Sequence, residues 1–252
     1  MSQLPIHRSV ASGNELAQLQ SWVSEIEAWP ANSHVWGQYA ERTGAGDVIC
    51  RTENPSGCHE GVRSWVDGKL CDLAVSALKV KASAFKDKLN YKQPRGAGFS
   101  PHQDLVAYPG VGKVVSILIA LDECSTASGC LWLADPTDEP LPTDENGVLP
   151  PEEVSSLLWS PAELNAGDAV CIDGLAPHYS ETNHSARSRR VLIASFAPAS
   201  DGYRREDYYK ARELAIKGAS VRGGASRIST LADFEGEVVR TNAVSLHSCT
   251  HD

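Results

Sequence analysis

The second half of this chain is a series of short strand-like segments separated by turns, and this limits the folds available to it. The segments include the alternating run 85–92, the apolar run 113–121 and the apolar run 190–196. No regular helical crossovers connect them, so we expect antiparallel pairing in a sandwich or barrel. Helical patterns at 14–29 and 60–82 precede the strands. The sequence therefore predicts a mainly β protein with flanking helices.

The other segments complete a one-domain organisation. A hairpin is predicted over 35–53, a surface insertion over 135–158 and a solvated helix over 203–217, followed by a weakly patterned tail. We find no repeat and no clear domain boundary. We expect one domain over residues 1–252, with its parts in this order: N-terminal helices at 14–82, a strand core at about 84–200, and a C-terminal helix and tail at 203–252.

Charge and targeting signals narrow the function. The formal net charge is -9, which argues against the basic face that nucleic-acid binding usually needs and against attraction to anionic lipid. The N-terminus lacks the organisation of a secretion signal, and no apolar run approaches membrane length. We expect a cytoplasmic protein with a small-molecule substrate, no nucleic acid and no membrane; the oligomeric state stays open.

The chain has seven cysteines, an odd number, and none of them form a CxxC motif. This pattern gives little indication of a metal site or a disulfide framework. Several lie in apolar runs such as 169–172. We expect most of them to be reduced and buried, and we expect neither a disulfide nor a zinc site.

The segment 99–104 contains a pair of metal-ligating residue types. His102 and Asp104 are two residues apart, so on an extended strand they would point to the same side. With His178 they would give two imidazoles and one carboxylate, a set that leaves positions open on a non-haem Fe(II) for a bidentate cosubstrate and dioxygen. Taken alone, the pair also fits a capped turn after Pro101, and both interpretations remain open.

The downstream context favours the metal site. Residues 166–174 form a turn that leads into a strand, and Pro177-His178 follows at its end. Arg189 stands eleven residues after His178, at the start of another apolar strand. At this point the chain resembles the phytanoyl-CoA dioxygenase family of Fe(II)/2-oxoglutarate-dependent oxygenases. The resemblance runs from about 85 to 196 and rests on these blocks: 94–99, His102-Gln103-Asp104, 116–122, 128–131, 166–168, His178-Tyr179-Ser180 and Ser188-Arg189-Arg190.

The resemblance implies a double-stranded β-helix, the cupin-like jelly-roll. It implies that His102, Asp104 and His178 are the catalytic ligands of Fe(II), and that Arg189 grips the distal carboxylate of 2-oxoglutarate. A guanidinium fork matches a carboxylate in a way that lysine cannot. The family pattern places a hydroxyl at Ser180, which we expect to contact the same cosubstrate.

The implied reaction consumes O2 and 2-oxoglutarate, hydroxylates an unactivated C–H bond of a small polar molecule, and releases succinate and CO2. Related halogenases have a small residue in place of the metal carboxylate, so the presence of Asp104 favours hydroxylation. Two alternatives remain: a natural-product tailoring oxygenase that desaturates or cyclises its substrate, and a non-catalytic cupin-like metal-binding barrel. Arg189 favours an enzyme, because a simple metal-binding barrel does not need it.

Further residues are candidates for binding the cosubstrate or substrate. The period-two alternation of 85–92 places Lys88, Asn90 and Lys92 on one strand face, which is either solvated or turned towards the ligands. Resemblance within the family favours Lys88 and Asn90 facing inward, where they would bind cofactor. Lys92 is a substrate candidate at the mouth of the site, and Tyr108, in the loop after the metal pair, is another.

A polar run at 50–54 gives the last hypothesis. An ordinary turn before Pro55 explains it. The run and residues 85–92 also resemble a bacterial subgroup that acts on small aminophosphonates such as 2-aminoethylphosphonate. In that case Arg51 and Glu53 would hold the opposite charges of a zwitterionic substrate.

Overall fold

The computed structural model describes residues 4–29, 37–221, 228, 231 and 233–241. Its helices are α1 (Gly13–Glu27), α2 (Pro55–Cys58), α3 (Glu60–Trp65), α4 (Cys71–Leu78), α5 (Pro151–Ser156) and α6 (Arg205–Val221). Its strands are β1 (Ile6–His7), β2 (Gly37–Thr43), β3 (Gly46–Glu53), β4 (Ala82–Lys92), β5 (Phe99–His102), β6 (Val115–Ala120), β7 (Leu131–Leu133), β8 (Ser160–Ala162), β9 (Ala169–Asp173), β10 (His178–Ser180), β11 (Arg189–Pro198) and β12 (Val238–Thr241). The predicted hairpin is confirmed as β2 and β3, and a π-helical turn divides the second predicted helix.

The strands form two sheets. The larger has the order β1-β9-β6-β11-β4-β3-β2-β12 and the smaller has the order β5-β10-β7-β8. Every pairing of these strands is antiparallel. Leu118 and Val191 of the larger sheet share a buried cluster with Leu133 and Ala162 of the smaller one. The sheets therefore pack face to face, as the expected jelly-roll requires.

The N-terminal helices cover the outer face of the larger sheet. Leu19, Val23 and Ile26 lie on one stripe of α1 and are fully buried. They belong to the same cluster as Leu89 of β4 and Ile117 of β6. Each such side chain stabilises the fold by about 1.5–3 kcal/mol relative to exposure. This layer holds the larger sheet from behind and leaves its inner face free to build a site.

Strand β4 separates this core from the interior between the sheets. Leu89 and Tyr91 pack into the helix-side core, whereas Lys86, Lys88 and Asn90 line the space between the sheets. The alternation predicted for residues 85–92 is thus confirmed. Since successive side chains of a strand point to opposite faces, one strand supplies both the core and the cavity wall.

The C-terminal part differs from the sequence expectation. The predicted helix is present, but it is not simply solvated: Tyr208, Tyr209 and Arg212 of α6 are buried. Segment 233–238 approaches β5, and β12 adds a strand beside β2. Charged residues make α6 look solvated in sequence, but two of them bond to other elements: Arg205 to Asn54 and Asp87, and Arg212 to the Tyr39 hydroxyl.

Cysteines 50, 71, 124, 130 and 171 are free thiols, as expected. Burial raises the pKa of Cys50 to about 12, which keeps this thiol protonated and unreactive. Cys58 is disulfide-bonded, so the expectation of no disulfide is wrong at this residue. Sequence spacing could not reveal it, because pairing depends on which cysteines approach in space. No helix in the described part of the chain is long and apolar enough to cross a membrane.

Candidate active site

A partly open cavity, lined by residues of both sheets, lies between them. Nearly all of the residues predicted for the site line it; they are His102, Asp104, His178, Arg189, Ser180, Lys88, Asn90, Lys92, Arg51 and Tyr108. Glu53 is not among the lining residues. The cavity therefore brings together residues from both halves of the described chain.

His102, Asp104 and His178 converge at one place in the cavity. Their ligand atoms all lie within 4.8 Å of one another. His102 and His178 are cross-strand partners of β5 and β10, and their ring centroids are 4.3 Å apart. Strand pairing alone thus brings two imidazoles from distant parts of the sequence side by side.

Hydrogen bonds orient the two imidazoles. Nδ1 of His102 lies 2.7 Å from the Ser100 carbonyl oxygen, and Nδ1 of His178 lies 2.9 Å from the Ala176 carbonyl oxygen. Carbonyl oxygens only accept hydrogen bonds, so each Nδ1 carries a hydrogen and is the donor. Nε2 is then the nitrogen left to bind a metal, because metal-ligating histidines typically have their other ring N–H held by a hydrogen bond to a protein group. Burial lowers the pKa of His178 to about 4, so its imidazole is neutral at pH 7, as a metal ligand requires.

Asp104 reaches the site from a turn rather than from a strand. Strand β5 ends at His102, and Asp104 has helical backbone angles where a short 3-10 turn, Leu105–Ala107, begins. The expectation that a strand places both ligands on one face is therefore wrong in detail, although the two ligands do converge. The Asp104 carboxylate accepts a hydrogen bond of 3.0 Å from the Ser116 hydroxyl, which also contacts the Ser195 hydroxyl at 2.9 Å.

The charge state of Asp104 also fits a metal ligand. Burial alone would raise the pKa of this carboxyl, but the electrostatic interactions with His178, Lys86 and Lys88 outweigh it and hold the pKa well below its usual range. Two imidazoles and one buried carboxylate therefore fit Fe(II), with coordination positions left for other ligands.

Arg189, Lys92 and Ser180 form a second polar group in the cavity. Arg189 donates a 2.7 Å hydrogen bond to the Gly129 carbonyl, while its buried Nε has no hydrogen-bond partner among the described residues. Lys92 donates to Ser180 Oγ at 2.9 Å and to the Glu181 carbonyl at 2.5 Å. Burial and the nearby charge of Arg189 lower the pKa of Lys92 well below its usual value.

Glycine is required beside this group. Gly129 has φ +69, and a Cβ on it would lie 2.3 Å from the Glu181 carbonyl oxygen. Only glycine adopts this conformation at such close approach without strain. The position thereby presents its carbonyl to Arg189.

Arg51, Lys88 and Asn90 form the wall on the larger sheet. Arg51 is 1% exposed and donates to Asn90 Oδ1 at 3.0 Å and to the Ile228 carbonyl at 2.6 Å. Lys88 makes no hydrogen bond or ion pair with any described residue, and burial together with the charge of Arg51 lowers its pKa well below the usual value. Lys88 is half-buried, and a cation in such a cavity without a partner is unfavourable unless a ligand supplies the opposite charge.

Two other predicted substrate residues have partners in the protein. Glu53 lies between Arg51 and Arg212, with N–O distances of 3.7 Å and 3.8 Å. Tyr108 is 2% exposed and accepts a 2.8 Å hydrogen bond from Lys86. Glu53 is therefore placed to orient Arg51 from outside the cavity lining, and Tyr108 is placed to hold Lys86.

The sequence reasoning missed the C-terminal contribution to this cavity. Ile228, Leu231, Asp233 and Phe234 all line it. Asp233 is 3% exposed, and its Oδ2 lies 3.3 Å from Nε2 of His102. The tail carries no periodicity or motif that points to a site, because its placement depends on docking against β5.

Comparisons with known proteins agree with this geometry. The model of the phytanoyl-CoA dioxygenase (PhyH) family matches residues 4–191, and this protein belongs to that family. A methylphosphonate hydroxylase from Gimesia maris is 33% identical over 227 residues, covering 88% of this chain and 87% of that protein. A 2-aminoethylphosphonate dioxygenase from an uncultured bacterium is 32% identical over 213 residues, covering 81% of each chain.

A solved structure supports the fold. The crystal structure of SnoN, a non-haem alpha-ketoglutarate-dependent epimerase from nogalamycin biosynthesis, matches with a TM-score of 0.63 and 19% identity, over 77% of this chain and 78% of that one. Family membership makes the protein an Fe(II)- and 2-oxoglutarate-dependent dioxygenase that acts on a small molecule. The alternative of a non-catalytic barrel is therefore not supported.

Proposed function

We propose that this dioxygenase hydroxylates a C–H bond of a small phosphonate. The observation that carries the proposal is the cationic wall formed by Arg51 and Lys88 inside a protein of net charge -9. A phosphonate offers up to two negative charges and three acceptor oxygens, which suit a guanidinium and an ammonium group. Both relatives described above carry names that specify phosphonates.

In this proposal His102, Asp104 and His178 hold Fe(II), and Arg189 holds the distal carboxylate of 2-oxoglutarate. The open Nε of Arg189 and its position in the same cavity as the metal ligands support this role. Lys92 holds Ser180 and the carbonyl of Gly129 in place for the cosubstrate. Arg51 and Lys88, with Asn90 orienting Arg51, bind the phosphonate.

The protein's own residues bind the metal and the cosubstrate, orient the substrate and exclude water from the site. When bound, iron with 2-oxoglutarate and O2 supplies the oxidant, so that one oxygen atom hydroxylates the substrate, the other enters succinate, and CO2 leaves. The Nδ1 hydrogen bonds of His102 and His178 fix the ring orientations throughout. Ser116 holds the carboxylate of Asp104. Preorganisation of this kind keeps the target C–H bond beside the metal.

The proposal is tested by adding phosphonates to the protein with Fe(II), 2-oxoglutarate and O2. We expect 2-aminoethylphosphonate or methylphosphonate to raise succinate release at least about tenfold over the substrate-free rate, with a hydroxylated product visible by 31P NMR. β-Alanine, a carboxylate analogue, is the substrate control. If no phosphonate raises succinate release above the substrate-free rate, the proposed substrate class is wrong.

The metal assignment has its own test. Asp104→Ala should abolish phosphonate-dependent turnover and weaken Fe(II) binding, because a three-ligand set loses its only charged member. Asp201→Ala removes an exposed carboxylate that does not line the cavity, so it should change neither turnover nor Fe(II) binding. An Asp104→Ala protein with full turnover would show that the ligand set is different.

A further inference from the structure

One buried carboxylate in the cavity has no task in the reaction described above. Asp233 lies on segment 233–238, whose backbone is fixed to β5. The carbonyl of Asp233 accepts a 2.7 Å hydrogen bond from Ser100 N, and Glu235 N donates one of 3.1 Å to the Gly98 carbonyl. The rings of Phe234 and Phe99 pack 5.0 Å apart between these bonds. The Asp233 side chain is therefore held at a defined place on the cavity wall.

The Asp233 carboxylate lacks a hydrogen-bond donor at Oδ1. Oδ2 lies 3.3 Å from Nε2 of His102, the ring nitrogen left for the metal, and Oδ1 is buried with no hydrogen-bond partner among the described residues. Glu41, which also lines the cavity, differs because its Oε2 accepts a 3.0 Å hydrogen bond from Ala97 N. A buried, unpartnered carboxylate oxygen is costly unless a ligand supplies a donor or a cation.

Asp233 is not the carboxylate that completes the metal cluster. The convergent set found among the described residues is His102, Asp104 and His178, and it does not include Asp233. A fourth protein ligand would also occupy a position that the cosubstrate and O2 need. The free oxygen of Asp233 is therefore available to the substrate.

The cavity carries opposite charges on two walls. Arg51 and Lys88 stand on β3 and β4 of the larger sheet, and Asp233 stands beside β5 of the smaller sheet. Glu53, the carboxylate first expected to bind a substrate cation, is paired with two arginines and lies outside the lining. A short molecule with an anion at one end and a cation at the other fits this arrangement.

We infer that Asp233 binds the ammonium group of an aminoalkylphosphonate and so makes the C-terminal segment the determinant of zwitterionic over purely anionic substrates. This inference rests on the proposed phosphonate hydroxylation and narrows its substrate class. It names the residue that binds the amino group, which the relatives' names do not give. One of those relatives is named for methylphosphonate, which has no amino group.

The test compares two ligands that differ only in the terminal group. 2-Aminoethylphosphonate and propylphosphonate have the same number of heavy atoms, with NH3+ in one and CH3 in the other. Their affinities are measured by calorimetry on protein loaded with Fe(II) and 2-oxoglutarate under nitrogen, where no turnover occurs. We expect the wild-type protein to bind the amine at least about tenfold more tightly, since a hydrogen bond to a charged group contributes on that order.

Asp233→Asn keeps the size of the side chain and removes its charge. It should weaken 2-aminoethylphosphonate binding about 10- to 100-fold, and the loss for propylphosphonate should be at least about tenfold smaller. Glu235→Gln is the matched control on the same segment, where the carboxylate is exposed and accepts a hydrogen bond from Ser100 Oγ at 3.1 Å. It should shift neither affinity by more than about twofold. Thermal melting confirms that both variants fold.

Four results would overturn the inference. Equal losses of both ligands in Asp233→Asn, or no preference for the amine in the wild-type protein, would leave phosphonate hydroxylation standing and remove the role of Asp233. A tenfold or larger loss of Fe(II) affinity in Asp233→Asn, measured without substrate, would make Asp233 a metal ligand instead. If the wild-type protein neither binds nor hydroxylates either phosphonate, the proposed function fails and this inference fails with it.

Discussion

Two neighbouring charged residues on β4 are treated in opposite ways by the fold. Asp87 and Lys88 are adjacent in sequence, so their side chains lie on opposite faces of the larger sheet. Asp87 is fully buried on one face, and Lys88 lines the cavity on the other. Asp87 is fully buried and Lys88 is half-buried, but only Asp87 is paired within the described part of the chain.

Asp87 is surrounded by donors. It accepts 2.8 Å hydrogen bonds from the backbone N and the hydroxyl of Ser56, and it forms an ion pair with Arg205 of α6. Tyr209 of the same helix contacts the backbone of Asp87 at 3.1 Å. The carboxylate therefore fastens α2 and α6 to the sheet.

Lys88 has no such partner among the described residues, and its pKa is lowered mainly by burial and the charge of Arg51. The difference teaches which charges stabilise the fold and which are kept for a ligand. A charge that completes its pairing within the protein holds elements together. A charge left unpaired destabilises the empty protein and gains its partner when an anion binds.

The largest effect on this comparison is expected for Asp87→Ala. Removing the fully buried carboxylate leaves Arg205, which is largely buried, without its ion-pair partner and leaves the two Ser56 donors without an acceptor, which costs about 3–5 kcal/mol as for a broken buried pair. The melting temperature should fall by about 6–20 °C, as scanning calorimetry would show. Asp47→Ala is the control, because Asp47 pairs with Arg42 at the surface and such pairs are worth at most about 1 kcal/mol. Equal losses in the two variants would contradict the structural role given to Asp87.

Arg189→Ala should give the next largest effect, and it acts on binding. In the proposed role of Arg189, loss of the guanidinium would remove two charge-assisted hydrogen bonds to 2-oxoglutarate, so the KM for this cosubstrate should rise about 100-fold, or about 2.7 kcal/mol. Fe(II) affinity without cosubstrate should not change. Steady-state succinate assays at varied 2-oxoglutarate measure the effect.

The chain provides a matched control for that measurement at the next residue. Arg190 points to the other face of β11, where it donates to the Asp122 carboxylate at 2.8 Å and 2.9 Å. Arg190→Ala should lower stability modestly and leave the KM for 2-oxoglutarate within about twofold of the wild-type value. If Arg190→Ala raised this KM as much as Arg189→Ala, the cosubstrate would not be held as proposed.

The parts of the site that could be predicted from sequence are those set by local pattern or by a motif. Period-two alternation placed Lys88 and Asn90 on the inner face of β4, and the family motif brought His102 and His178 together. Alternation is a property of a single strand, whereas the pairing of β5 with β10 joins distant segments and was anticipated only from the family resemblance. The backbone at Asp104 was predicted wrongly, because a turn and a strand can deliver a carboxylate to the same point.

Other parts depend on contacts between distant segments and could not be predicted. The burial of Arg212 follows from its approach to Glu53, which lies on β3. Asp233 enters the cavity because Phe234 and Phe99 form a bridge between the tail and β5. No periodicity in the tail signals that docking, so its role in the cavity became visible only in three dimensions.

The smallest effect is expected for Lys88→Met, and its direction is opposite to that of Asp87→Ala. Methionine keeps the length of the side chain and removes the unpaired charge, so the ligand-free protein should gain about 1 kcal/mol and melt about 2–4 °C higher. Phosphonate affinity should fall at least about tenfold, because the anion loses one cation. Calorimetric melting and ligand titration of the same preparation measure both quantities.

The pH dependence of stability shows whether Lys88→Met is more stable because the unpaired charge is gone or because methionine packs better. The folded-state pKa of Lys88 is lowered, so between that pKa and the unfolded value of about 10.4 the unfolded chain binds more protons than the folded one. The destabilisation of the folded protein by the charged Lys88 is therefore complete below the lowered pKa, and it is relieved as pH rises towards the unfolded value. The stability advantage of Lys88→Met over the wild-type protein should shrink across that interval. An advantage that stays constant with pH would mean that packing, and not the unpaired charge, separates the two faces of β4.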